Sequence, residues 1–348
     1  MSKSQSVYLD LLRLVAAVVV MLSHLARDHL SGGFLWQLMT AGHDGVIVFF
    51  VLSGYVITFV ADTRERNGVD YALSRLTRLY SVLFPALLLT FVADSIGMMY
   101  APHFYLPETH SEPLLRFASA ALFLSQSWHL SQPYSNAAYW SLPFEFWYYV
   151  MFGAFIYLRG AIRYVALAVA AAIAGPTILL LFPVWLFGVF SFRARKLDLS
   201  ARYAWPLFAV SFAGMAVMVL PDLTGHGHAV TLQGWEPGAS PRDYALGALV
   251  AINLFAGSFL TLPFARIGRA IRYLAGMTFS LYLFHLPLLF LFAACLPLPH
   301  NVFLRGAIMA VLVLLACEGL SHLTERRNGD LKRLLSRRLG LRMKVQPA

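Results

Sequence analysis

Apolar runs close to twenty residues long recur along the whole of this chain. One such run is what an α-helix needs to cross the roughly 30 Å hydrocarbon core of a bilayer. A chain built of them is an all-α integral membrane protein, a tighter constraint than any single motif. Composition agrees: 59% of the 348 residues are apolar and 13% are charged, against about 25% charged in a soluble domain. The runs fall at 8–26, 43–61, 79–100, 137–158, 164–176, 178–192, 203–220, 244–263, 271–293 and 305–323, giving about ten transmembrane helices. The pair 164–176 and 178–192 is split by Gly175-Pro176 and reads as a tight hairpin of thin or tilted spans.

Arginine and lysine sort the connecting loops. Arg64, Arg66, Arg75 and Arg78 follow the second run, and Arg159 and Arg163 the fourth. Arg193, Arg195, Lys196 and Arg202 follow the sixth, Arg266, Arg269 and Arg272 the eighth, and a basic stretch runs from Arg326 to Lys344. All share one side if the N-terminus lies there too, so both termini are expected in the cytoplasm. The opposite loops, 101–113 and 221–243, carry few basic residues. Residues 114–127 are apolar but short. A crossing there would reverse every later loop, so they read as a re-entrant or surface helix on the outer side.

The net charge of +10 follows from this sidedness. No basic stretch interleaved with aromatics points to nucleic acid. Cys295 and Cys317 have no metal-ligand spacing and read as small apolar core residues, so no metal is expected. No cleavable leader is expected, because Asp10 and Arg13 interrupt the first run and no clear small-residue cleavage site follows. Residues 1–325 read as one membrane domain and 326–348 as a basic tail, either an amphipathic surface segment or disordered.

Ionisable residues inside spans are costly and point to function by default. Arg13 and His24 stand eleven residues apart in YLDLLRLVAAVVVMLSHLA. That spacing puts them on nearly one helix face, roughly 16 Å apart along the axis, as in a site running across the bilayer. Snorkelling of Arg13 and an interfacial role for His24 are the plainer alternatives. Arg75 and Arg78, in YALSRLTRLYSVLFP, share a face by their i,i+3 spacing. They could grip a polyphosphate, or simply anchor the helix on the positive side. Glu145 enters the fourth span in AYWSLPFEFWYYVMF, at a depth matching His24, so a Glu-His pair holding one imidazole tautomer is expected; a structural hydrogen bond is the alternative. His285 precedes Pro287 in FSLYLFHLPLL and is either a second acid/base or a packed helix residue. Ser53-Gly54 suits close helix packing, and Asp44 an N-cap.

Together these segments resemble acyltransferase family 3, integral-membrane enzymes that O-acylate glycans and other acceptors. Arg13 to His24 matches the family's R-x10-H pattern, and FFVLSGY (Phe49 to Tyr55) its FFxLSGF segment. SRLTRLY carries the RxxR pair as Arg75 and Arg78. YWSLPFEFWYY matches WSLxxE at Trp140, Ser141, Leu142 and Glu145. SLYLFHLP matches SYxxYLxHxP at Ser280, Tyr282, His285 and Pro287. Each motif alone is a weak signal; five in order, along nearly the whole chain, are a strong one. Two departures stand out: Ser81 replaces the proline that often follows RxxRLY, and Glu325-Arg326-Arg327 lacks the proline of the usual Glu-x-Pro ending.

The resemblance implies a ten-span bundle in a bacterial inner membrane. It would move an acyl group, most commonly acetyl, from cytoplasmic acyl-CoA to a hydroxyl of a cell-surface or secreted glycan or a lipid-linked saccharide. It makes His24 the catalytic candidate, with Glu145 and His285 beside it, and Arg13, Arg75 and Arg78 the grip on the donor. Trp140, Ser141, Ser280 and Tyr282 become substrate contacts, Ser280 or His285 a candidate for steadying an oxyanion. Direct transfer and an acyl-histidine intermediate are both open. Acyl-CoA is a donor substrate, not a resident cofactor. Many relatives carry an added hydrolase-like domain; none is expected here, which implies action alone or with polysaccharide-assembly partners. The rival class is a transporter or exporter using intramembrane Arg, His and Glu, against which stands the lack of paired half-repeats. A di-iron oxidase would need histidine boxes the chain does not have.

Overall fold

A computed structural model describes residues 1–65, 67–128, 130–197, 199–219, 239–264 and 266–338. Most of the 221–243 loop and the end of the basic tail, residues 339–348, lie outside these. Among the described residues there is no strand. The helices are α1 (Lys3–Leu25), α2 (Asp28–Ser31), α3 (Ala41–Thr63), α4 (Gly68–Tyr100), α5 (Pro107–His110), α6 (Pro113–Ala121) and α7 (Ser141–Tyr157), then α8 (Gly160–Ala194), α9 (Ala201–Val219), α10 (Pro241–Gly257), α11 (Gly268–Ala275), α12 (Thr278–Cys295), α13 (Val302–Leu323) and α14 (Asn328–Arg338).

Among the described residues, seven helices are long and apolar enough to cross a membrane. The ten crossings read from the sequence would require, besides these, the 17-residue α7 and α10 and a separate count of both arms of α8. Those arms do double back. Gly175 breaks α8 with φ 81° and ψ 171°, a left-handed φ that suits glycine. A Cβ there would lie 2.6 Å from the Ser127 carbonyl oxygen. The first arm starts beside the N-terminus of α4, where Tyr157 packs on Gly68. The second ends beside α3, where Arg193 lies 3.5 Å from Asp62. Both open ends therefore share one face with Met1, Arg195 and Lys196, which is the grouping of basic loops expected from the sequence.

α4 begins eleven residues before the apolar run it contains, because Asn67 caps it by accepting the Asp70 N–H at 2.8 Å. Its 33 residues reach about 50 Å, longer than the hydrocarbon core is thick. The expected span at 271–293 is divided into α11 and α12. At the centre of the bundle α3 meets α8 backbone to backbone. A Cβ on Gly54 would come within 2.1 Å of the Trp185 carbonyl oxygen, and one on Gly188 within 2.0 Å of that of Val51.

The segment at 114–127 is a short helix, α6, followed by irregular chain that returns into the bundle. Phe123, Ser125, Gln126, Tyr134, Ser135 and Asn136 are all buried. Non-helical backbone at this depth is tolerated only when protein satisfies its polar groups. Here Asn136 Nδ2 donates to Thr90 Oγ1 at 3.1 Å and to the Leu283 carbonyl at 3.0 Å. Trp147 Nε1 donates to the Phe123 carbonyl at 3.0 Å. This inserted chain carries the first turn of α7 into the interior.

Candidate active site

Two groups of polar residues lie along the interior stripe of α1. Around Arg13 is a cavity of about 70 Å³ lined also by Ser53, Arg78, Ser141, Glu145 and Tyr282, several times what one water requires. Its remaining walls are largely apolar, among them Leu9, Phe49, Val56 and Phe279. Arg13 Nη2 donates to Asp10 at 2.8 Å. Arg78 stands about three turns into α4 from its capped start; its guanidinium makes no hydrogen bond or ion pair with any of the described residues, yet it lines the cavity and feels the charges of Glu145 and Glu325. A guanidinium carries five N–H donors, so Arg78 is a cation with its donors uncommitted.

Glu145 is the fifth residue of α7 and belongs to this same group. It accepts hydrogen bonds from Ser53 Oγ at 2.9 Å and from the Tyr149 hydroxyl. Trp185 Nε1 donates to Ser53 Oγ at 3.2 Å, which fixes the serine from behind. The expected Glu145–His24 pair is therefore not formed. The physical reason is the inserted chain before α7: it starts the helix inside the bundle, so Glu145 falls among the arginines and not at the depth of His24.

The second group is a pair of histidines. The His24 and His285 rings have centroids 5.2 Å apart and planes 31° apart. His285 is wholly buried. Its Nδ1 lies 2.9 Å from the Leu281 carbonyl oxygen, which can only accept, so Nδ1 carries the proton. Its Nε2 and the Nδ1 of His24 are both enclosed and have no partner. The two groups are connected: Ser141 Oγ lies 2.7 Å from the Tyr282 hydroxyl, and both line the cavity, while the Tyr282 ring is 6.4 Å from that of His285.

Other expected residues are placed elsewhere. Arg75 and Arg78 have different surroundings. Arg75 is buried and gives two hydrogen bonds to the Glu65 carboxylate, at 2.9 and 2.8 Å, with its guanidinium 4.7 Å from the Tyr71 ring centre. A step of three residues turns a helix by 300°, leaving the side chains about 60° apart, and in this bundle that separates a cavity wall from an ion pair. Ser280 is also committed, bonding Glu325 and lying 3.2 Å from Thr324 Oγ1. Trp140 stacks on His43, with centroids 5.8 Å apart. Asp44 caps nothing; it forms a paired contact with Arg242 and, beside the 3.0 Å His43–Asp243 contact, ties α3 to α10.

Glu325, which the sequence presented only as a Glu-x-Pro ending without its proline, was given no part in the site. It accepts from the backbone N–H groups of Phe279 and Ser280 at 3.1 and 2.9 Å, closing the N-terminus of α12, and its charge acts on both Arg13 and Arg78. The available signal was a lone carboxylate between an apolar run and a basic tail. Asp94 was missed as well. It is fully buried in α4 and accepts from Ser135 N and Oγ and from His110 Nε2 at 2.8, 2.7 and 3.0 Å. Nothing in a 16-residue separation forecasts the histidine contact.

A helical membrane bundle with an arginine-lined cavity and, farther along the same helix, two adjoining histidines is the class of protein these features define. Residues 6–321 match the family described as an acyltransferase domain, and the chain belongs to that family, acyltransferase 3. It is 31% identical over 153 residues to an O-acetyl transferase of Shigella phage Sf6, a match covering 41% of this chain and 44% of the relative. It is 30% identical over 159 residues to the O-acetyltransferase OatA of Staphylococcus aureus strain NCTC 8325, covering 41% of this chain and 23% of the relative. These matches thus span less than half the length of either relative. No solved structure matches the chain.

Proposed function

We propose that this protein is an acyl-CoA-dependent O-acyltransferase that moves an acetyl group from the basic, cytoplasmic face to a hydroxyl of a cell-surface or secreted glycan or lipid-linked saccharide. The observation that carries the reading is the uncommitted Arg78 guanidinium beside Arg13, in a cavity joined through Ser141 and Tyr282 to His24 and His285. A coenzyme A thioester has the matching shape: charged phosphates for the arginines, and a long uncharged arm to carry the acyl carbon toward the histidines. Arg75, paired with Glu65, is left out of this grip.

In the direct scheme the acceptor hydroxyl loses its proton to His24 as its oxygen attacks the thioester carbonyl. The tetrahedral intermediate expels the CoA thiolate, which takes the proton back from His24 and leaves as the thiol. The acetyl assignment draws on the printed names of the two relatives, both O-acetyltransferases. The reading includes residues 1–325 as the membrane acyltransferase domain, 326–348 as a basic cytoplasmic tail held near lipid headgroups, a bacterial inner-membrane location and partners in polysaccharide assembly.

The test is titration of the purified protein in detergent with acetyl-CoA, succinyl-CoA and CoA, alongside a folded Arg78→Ala variant. Saturable binding that is sharply weakened in the variant supports donor use, and the order of affinities names the acyl group. Absence of binding up to millimolar CoA would sink it, and transport assays in liposomes would then decide for the rival class.

A further inference from the structure

His24 and His285 each keep one buried nitrogen without a partner, and the two rings are neighbours. A buried polar nitrogen left unsatisfied costs about 1–3 kcal/mol, so two such atoms on adjacent rings are a large penalty unless they serve each other. The protons decide how they could. The Leu281 carbonyl fixes the His285 proton on Nδ1, which leaves Nε2 of a neutral ring as an acceptor. The enclosed atom of His24 is Nδ1. If Nδ1 carries the proton, the neighbouring ring, 5.2 Å away between centroids, offers the acceptor it needs in its own unpartnered Nε2. Nε2 of His24, which is neither enclosed nor hydrogen-bonded, is then the ring's free lone pair.

Resting on the acyltransferase reading, we infer that His285 is a positioning residue that holds His24 in its Nδ1-protonated tautomer, through the order Leu281 carbonyl, His285, His24. This is the part that sequence reasoning assigned to Glu145. A carboxylate would hold the tautomer by charge; a neutral imidazole holds it by hydrogen bond alone. When His24 Nε2 takes the acceptor's proton, the imidazolium charge is shared over both rings through the Nδ1 proton. When the thiolate recovers a proton from Nε2, the pair returns to its starting state. His285 exchanges no net proton and touches no substrate.

The test compares His285→Gln with His285→Asn under saturating donor and acceptor. The glutamine amide can turn its carbonyl oxygen to His24 Nδ1; the shorter asparagine falls short of it. The expected result is kcat within threefold of wild type for Gln and reduced on the order of 10²-fold for Asn, with KM for the donor unchanged in both. Equal loss in both variants, or wild-type kcat in Asn, overturns the inference. Selective 15N-histidine NMR of the unmodified protein tests it without a variant that must fold: His24 protonated on Nδ1 supports it, and His24 protonated on Nε2 overturns it. If wild type transfers no acyl group from any donor, the acyltransferase reading fails, and the NMR result still decides the tautomer.

Discussion

The arginine cavity and the histidine pair occupy the same stripe of α1, yet they solve opposite problems. The cavity has space, two cations and a carboxylate fixed by Ser53 and Tyr149, with Arg78 left uncommitted. The histidine pair has no such space at its unpartnered nitrogens, where His24 Nδ1 and His285 Nε2 are both enclosed. An uncommitted guanidinium beside a cavity is arranged to receive a charged ligand; two facing imidazoles are arranged to hold a proton. In the proposed function, donor binding falls at one end of the stripe and proton transfer at the other.

Substitutions test that division. The largest effect is expected for His24→Ala, which should lower acyl transfer on the order of 10³-fold while donor affinity, measured by calorimetry, stays within threefold. Loss of donor binding in that variant would merge the two regions into one. Next, Arg75→Ala should leave Glu65 buried without its partner and cost about 3 kcal/mol of stability, read as a lowered thermal midpoint with donor affinity unchanged. Arg78→Ala should behave in the reverse way. The loss of charge-assisted hydrogen bonds to donor phosphates costs roughly 1.5–3 kcal/mol, about ten- to a hundredfold in Kd, with the midpoint unmoved. If Arg75→Ala and Arg78→Ala give the same phenotype, the separation of the two arginines is wrong.

The smallest expected effect lies away from both regions, at the contact between Asp94 and His110. Burial is the largest single influence on the His110 pKa and pulls it down, but the hydrogen bonds to Asp94 and to the Leu106 carbonyl, with the Asp94 charge, together outweigh it, and the net direction is up from 6.5. A raised folded-state value adds stability that is full below the unfolded value of 6.5 and is lost as pH rises through the folded value. The thermal midpoint should therefore be highest in mildly acidic buffer and fall as pH climbs past 6.5, and Asp94→Asn should flatten that slope. A wild-type midpoint that rises with pH across this range would show that another group dominates.

Much of the architecture was written in the sequence. Apolar run length dictates helices because a helix satisfies its own backbone in hydrocarbon. Gly175-Pro176 dictates the break in α8, since glycine takes the left-handed turn and proline cannot continue the ladder behind it. The placing of arginines among loops grouped the ends that the structure brings to one face, and the Arg13–His24 spacing laid out the stripe along which both regions sit. What the sequence could not decide was direction around and between helices. About 60° of rotation sends Arg78 to the cavity and Arg75 to Glu65. A stretch of irregular chain before α7, held by Asn136 and Phe123, shifts Glu145 from the histidines to the arginines. Glu325 reaches the start of α12 across 46 residues of sequence. Local periodicity carries no information about such distances. They are set by how the helices close on one another, and only the tertiary structure made His285 the neighbour of His24.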